Sequence, residues 1–143
     1  MFLWRISNYA TLDGIGGTLQ SARWHTKGRP IIYAADHPAS ALLEMLVNFD
    51  TSLLPDSFQL LKIAVPEGVQ TFQAKVKPGW TKEVTITRAI GDKWLQGRSS
   101  LLMQVPSAIL PQVFNTIINP LHPDAQRLKI IDVLAVPLDA RLR

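Results

Sequence analysis

Cysteine is absent from the 143 residues, which removes disulfide scaffolds, thiolate zinc sites and cysteine nucleophiles together. Charge is scarce: 18 % of residues are Asp, Glu, Lys or Arg, against roughly a quarter in an average globular chain. No dense Lys/Arg run exists, and the 15 basic residues are scattered from Arg5 to Arg143 among 11 acidic ones. The formal charge of +4 permits an anionic partner, but without a concentrated patch the electrostatic case for nucleic acid is weak. Long hydrophobic runs are missing too. The opening MFLW meets Arg5 too soon to form a signal-peptide core. Glu44 and Asp132 interrupt the two longest apolar stretches, SALLEMLV and LKIIDVLAVPL, well short of the ~20 residues a membrane helix needs. A soluble cytoplasmic protein is expected.

What is present is apolar: 47 % of the chain is hydrophobic, enough for a generous core and against extensive disorder. The length suits one domain over residues 1–143, burying roughly two thirds of the surface its unfolded chain exposes. There is no repeat, low-complexity tract or linker, and ten prolines cut the chain into short elements. Met1 to Ile6, Pro30 to Ala34, Gln59 to Val65, Leu101 to Val105, Gln112 to Ile118 and Leu128 to Ala135 read as strands. Asp36 as N-cap, Pro38 in the first turn and Ala39, Leu42, Met45 and Leu46 at helical spacing predict a helix with Glu44 beside its apolar stripe. Ile86, Ile90 and Trp94 predict a second helix near Val84 to Leu95, despite Gly91. Strands and helices mix without regular alternation, which favours an α+β domain with a curved, mainly antiparallel sheet and flanking helices.

Metal chemistry has little support, because His25, His37 and His122 are far apart and form no His-x-His or His-Glu-x-x-His pattern. The glycine-rich Asp13 to Gly17 loop has the freedom to fold around something, but no third glycine opens a helix behind it as a dinucleotide fingerprint requires. Esterase elbows and Walker motifs are absent. The densest polar segment runs from Gly17 to Val47. Arg23, Lys27 and Arg29 precede a strand, Tyr33 lies near its end, and Glu44 sits on the following helix. A guanidinium matches phosphate oxygens bidentately, and loop N–H groups can add to an anion site. A ring offers a stacking face, and a carboxylate can stabilise a developing cation or hold a ribose hydroxyl. Taken singly, each is more ordinary as a solvated arginine, a core tyrosine or an exposed helix glutamate.

The order of these residues carries a resemblance. The arrangement GxxxxxxRWxxxGxPIxYxAxxxxxALLEML resembles the RES-domain family, and GDKWLxxxxSLxxxVPSAIxPxxxNxxINPLHPD matches the second half of its pattern. The opening WRI and the closing AVPLDARL fit as well, so the resemblance spans nearly the whole chain in one register. One departure is His25-Thr26, where an asparagine often follows the Arg-Trp pair. The resemblance implies an ADP-ribosyltransferase-like fold and the toxin of a bacterial toxin–antitoxin pair. It implies a partner, an Xre-like helix-turn-helix antitoxin that would carry any DNA contact, and leaves room for a homodimer within the complex. It also implies that NAD+ is degraded as substrate, with no separate cofactor or metal.

By that carry-over Arg5 and Arg23 would grip the pyrophosphate or neighbouring ribose oxygens, and Tyr33 would pack against the nicotinamide end. Glu44 would act at the nicotinamide ribose, and Ser107, in the VPS turn, would complete the site by hydrogen bonding. Glu44, Arg23 and Ser107 are then the catalytic candidates, and Arg5, Arg23, Tyr33 and Ser107 the substrate-binding ones. Nicotinamide is a cationic leaving group, so its loss needs no metal and little acid assistance. It generates an oxocarbenium-like ribose that a carboxylate stabilises. Whether water or phosphate attacks stays open. A ribonuclease toxin would want two acid–base groups beside a phosphate. A non-catalytic nucleic-acid-binding module would bind with steep salt dependence. An interaction protein would lack the neighbouring antitoxin gene.

Overall fold

Short apolar stretches broken by proline and glycine can bury their side chains only by pairing with one another, and here they pair into one sheet. A computed structural model describes residues 1–143. In chain order the elements are β1 (Phe2–Ile6), α1 (Gly16–Leu19), β2 (Ile32–Ala35), α2 (Pro38–Asn48), β3 (Ser57–Ala64) and β4 (Thr71–Gln73). They continue with α3 (Val84–Gly97), β5 (Leu102–Pro106), β6 (Phe114–Ile118) and β7 (Lys129–Pro137). The seven strands lie in the order β4-β5-β6-β2-β1-β3-β7. Only β4 and β5 run parallel; every other pair is antiparallel. The expected α+β class with a mainly antiparallel sheet and flanking helices holds. No helix is long and apolar enough to cross a membrane.

Alternation along the strands divides the core in two. Ile32, Ala34, Ile118 and Leu102 face one side, with Leu3 and Ile63. Ile31, Ile117, Met103 and Val105 face the other, where Trp24, Trp94 and Leu95 cover them. Beside this second core, α2 sets Leu42, Met45 and Leu46 against Ile6 and Phe58. Both longer helices therefore pack on the face that, by register, also carries Tyr33 and Asn115.

Several local details differ from expectation. The N-cap of α2 is His37 rather than Asp36: His37 is extended, with φ −142°, and its Nδ1 accepts the Ala39 N–H at 3.0 Å. An imidazole one residue later satisfies an otherwise orphaned helix donor. Helix α3 runs on to Gly97, past the expected Leu95, and ends where Arg98 turns left-handed with φ 52°. Gly91 is required within it, because a Cβ there would lie 1.6 Å from the Trp24 carbonyl oxygen. The Asp13 to Gly17 loop runs into the short helix α1 and packs against the chain itself. A Cβ on Gly17 would come within 2.5 Å of the Arg29 carbonyl oxygen. Strand β4 was not expected; Thr71, Phe72 and Gln73 are all exposed and show no buried alternation.

Candidate active site

Glu44 projects from α2 toward the end of the β5–β6 ribbon and is half-buried there. Its Oε1 accepts two hydrogen bonds, from Ser107 Oγ at 2.8 Å and from Asn115 Nδ2 at 2.7 Å. Ser107, in the turn after β5, is itself oriented: the N–H groups of Ile109 and Leu110 donate to its Oγ at 3.1 and 3.4 Å. With its lone pairs facing those donors, its single proton goes to Glu44. This serine is a donor to a carboxylate, not a nucleophile awaiting a base. Oε2 of Glu44 has no protein partner, and Glu44 forms no ion pair.

Arg5 and Arg23 take a different form. Arg5, on β1, donates from Nη1 to the Tyr33 carbonyl at 3.1 Å. Burial lowers its pKa from the ordinary arginine value, and Asp13 works against that shift; the guanidinium stays cationic. Arg23 donates from Nη1 to the Thr81 carbonyl at 3.0 Å, with its guanidinium 5.8 Å from the Trp80 ring centre. Each arginine spends one bond on the protein and retains further N–H donors for an anion.

The loop that carries Arg23 is stapled to one side of α3. Thr87 Oγ1 donates to the Arg23 carbonyl at 2.6 Å, and Arg88 Nε donates to the Ala22 carbonyl at 2.8 Å. Asp92 accepts from the Thr26 N–H and hydroxyl at 2.9 and 2.7 Å and pairs with Arg29 at 3.4 Å. Gly91 and Asp92 of the GDKW motif thus hold the Arg-Trp loop. Arg29, grouped by sequence with Arg23, is engaged in this staple.

Tyr33 is tied to the same loop. Its hydroxyl lies 2.8 Å from His25 Nδ1 and accepts the Trp24 N–H at 3.2 Å. His25 is 2 % exposed, and its Nε2 lies 3.0 Å from the Gly17 carbonyl oxygen. A carbonyl only accepts, so Nε2 donates to Gly17 and Nδ1 is left to the tyrosine hydroxyl. Burial raises the Tyr33 pKa; the Trp24 N–H partly offsets it, Asp92 adds to the rise and Arg88 opposes it. The group stays a phenol.

The structure therefore brings Glu44 and Ser107 into direct contact and joins Arg5 to the Tyr33 backbone. By register Tyr33 and Asn115 sit on the same face of neighbouring strands, and Asn115 bonds Glu44. Arg23 makes no hydrogen bond to the other four and is linked to Tyr33 through the Trp24–His25 segment. Asn115, the asparagine of the VPSAIxPxxxN pattern, carries no chemical signal of its own in the sequence. His37 and His122 cap helical turns through Nδ1. Two clefts of about 230 and 220 Å³ lie elsewhere, and none of these five residues lines either. The second borders Trp80 and Thr87, both partners of Arg23.

The RES domain model matches residues 2–139. The chain belongs to the RES family. Among RES relatives, a protein named Toxin Res from Pseudomonas putida is 46 % identical over 91 % of this chain and 92 % of its own length. Another Toxin Res, from Photorhabdus laumondii, is 33 % identical over 99 % and 97 %. A protein named Prs ADP-ribosylating toxin, from a Sphingobium species, is 34 % identical over 97 % and 94 %. The expected family is thereby established, and with it the coarse function: a toxin of the RES family.

Proposed function

We propose that this RES toxin degrades NAD+ by cleaving its nicotinamide–ribose bond, with water or inorganic phosphate as acceptor, and so arrests growth. The observation that carries the reading is the Glu44 carboxylate, held through Oε1 by Ser107 and Asn115 with Oε2 unpaired. In this reading the C1′–N bond breaks and its electron pair returns to the pyridinium, which leaves as neutral nicotinamide. Oε2 faces the oxocarbenium-like ribose and stabilises its positive charge without forming a bond. Oxygen of water or phosphate then bonds to C1′, and its proton leaves to solvent. Arg5 and Arg23, cationic and incompletely paired, grip the pyrophosphate or ribose oxygens. The Tyr33 ring packs at the nicotinamide end while its hydroxyl stays on His25. NAD+ is the substrate, and no cofactor or metal enters the scheme. An Xre-like antitoxin in the cytoplasm would block access to the site.

The test is chromatographic: purified antitoxin-free protein with NAD+ should release free nicotinamide, and folded protein giving none above a buffer control would sink the reading. A second reading has one observation in its favour, the ADP-ribosylating toxin among the relatives. There the same bond breaks but a protein side chain takes the ribose. Nicotinamide release that stops at one equivalent of target, with ADP-ribose on that target by mass spectrometry, would favour transfer; continuous release without a target favours degradation.

A further inference from the structure

Asn115 occupies a position where the fold alone would choose otherwise. It lies inside β6, paired with Ala35 on β2 and Val105 on β5. Asparagine is depleted in strands, and apolar residues fill the neighbouring positions of this face. Its amide orientation is fixed by chemistry. An ionised Glu44 can only accept, so Nδ2 must face Oε1, at 2.7 Å. That choice leaves Oδ1 turned the other way, and Oδ1 is the one buried side-chain nitrogen or oxygen in the protein without a hydrogen-bond partner. A desolvated acceptor with no donor disfavours the folded state. The residue thus has two liabilities, and its side chain makes one hydrogen bond: to Glu44.

We infer that Asn115 is a positioning residue for the Glu44 carboxylate, fixing its rotation so that Oε2 is presented to the substrate. One donor would leave the carboxylate free to swing about a single bond. Ser107 and Asn115, approaching the same oxygen from the β5 turn and from β6, remove that freedom. Preorganising a charge before the reaction is what makes it effective in the transition state. The inference rests on the reading of Glu44 as the acting carboxylate.

The test compares Asn115→Leu and Asn115→Ala with the wild-type protein, by thermal melting and by steady-state nicotinamide release. The melting temperature of Asn115→Leu should be unchanged or higher, since an unpaired polar atom is replaced by an apolar one. In both variants kcat should fall ~10-fold or more while KM stays within about twofold, because the lost interaction serves the transition state. In a Glu44→Gln background the same substitution should cost less than about twofold, since the residue acts through that carboxylate. Folded variants with wild-type kcat, or an equal loss in both backgrounds, would overturn the inference. So would a lowered melting temperature with activity tracking the folded fraction. If wild-type protein arrests growth yet releases no nicotinamide, the NAD+ reading fails instead, and growth arrest becomes the readout. Folded Asn115→Leu should then lose toxicity as Glu44→Gln does, and its persistence would end the inference.

Discussion

The carboxylate and the cationic parts of the candidate site are built on opposite plans. Glu44 is held by two side chains on one oxygen, with the other oxygen unpaired. Arg5 and Arg23 rest on backbone carbonyls, and Arg23 sits on a loop pinned along α3 by Thr87, Arg88 and Asp92. The chemistry of the proposed reaction accounts for the contrast. Phosphate charge is present before and after bond cleavage, so a cation needs only to be in reach with spare donors. The ribose charge exists mainly in the transition state, so its partner must be aimed in advance. A backbone-anchored cation serves binding, and a side-chain-clamped anion serves rate.

The contrast would break first at Glu44. Glu44→Gln keeps the shape and removes the charge, and nicotinamide release should fall ~100-fold or more, about 3 kcal/mol of transition-state stabilisation. NAD+ binding by calorimetry should survive better than turnover. A folded variant with near-normal release would remove Glu44 from the site.

Arg23→Ala should act on the other quantity. A charge-assisted contact to phosphate is made in the ground state, so KM should rise ~10-fold or more, with a smaller change in kcat. Steady-state kinetics over a range of NAD+ concentration separates the two. If kcat alone fell, both halves would serve the transition state and the contrast would be lost.

The smallest effect on activity is expected at Tyr33, whose hydroxyl is committed to the Arg23 loop. Tyr33→Phe keeps the ring and leaves His25 Nδ1 and the Trp24 N–H without their partner. Stability should drop by about 1–2 kcal/mol, roughly 2–4 °C in melting temperature per kcal/mol, while release changes less than ~10-fold. The wild-type protein should also lose stability as pH climbs past ~10. Burial raises the folded pKa of Tyr33, so the unfolded chain gives up that proton first. In Tyr33→Phe this alkaline decline should be shallower, a difference that melts at several pH values would register.

Sequence by itself settled what local spacing can encode. The apolar stripe of Leu42, Met45 and Leu46 placed α2, the run of Ile86, Ile90 and Trp94 placed α3 through a glycine, and short apolar, β-branched runs, alternating in β3, placed six of the seven strands within a few residues. Strand β4 escaped because three residues, all exposed, are too few to leave a pattern. The ordered motifs also singled out Glu44 and Ser107, but not why they belong together. Their hydrogen bond joins residues 63 positions apart, and the Asn115 bond spans 71. Gly91 reads as a weak helix residue until Trp24, 67 positions earlier, is laid against it. His25 is a departure from the motif in the sequence, and only the fold sets its ring between Tyr33 and Gly17. Local propensity is written in neighbouring residues. Which polar atoms share a bond, and which one is left over, is decided only when distant strands pair and close the space between them.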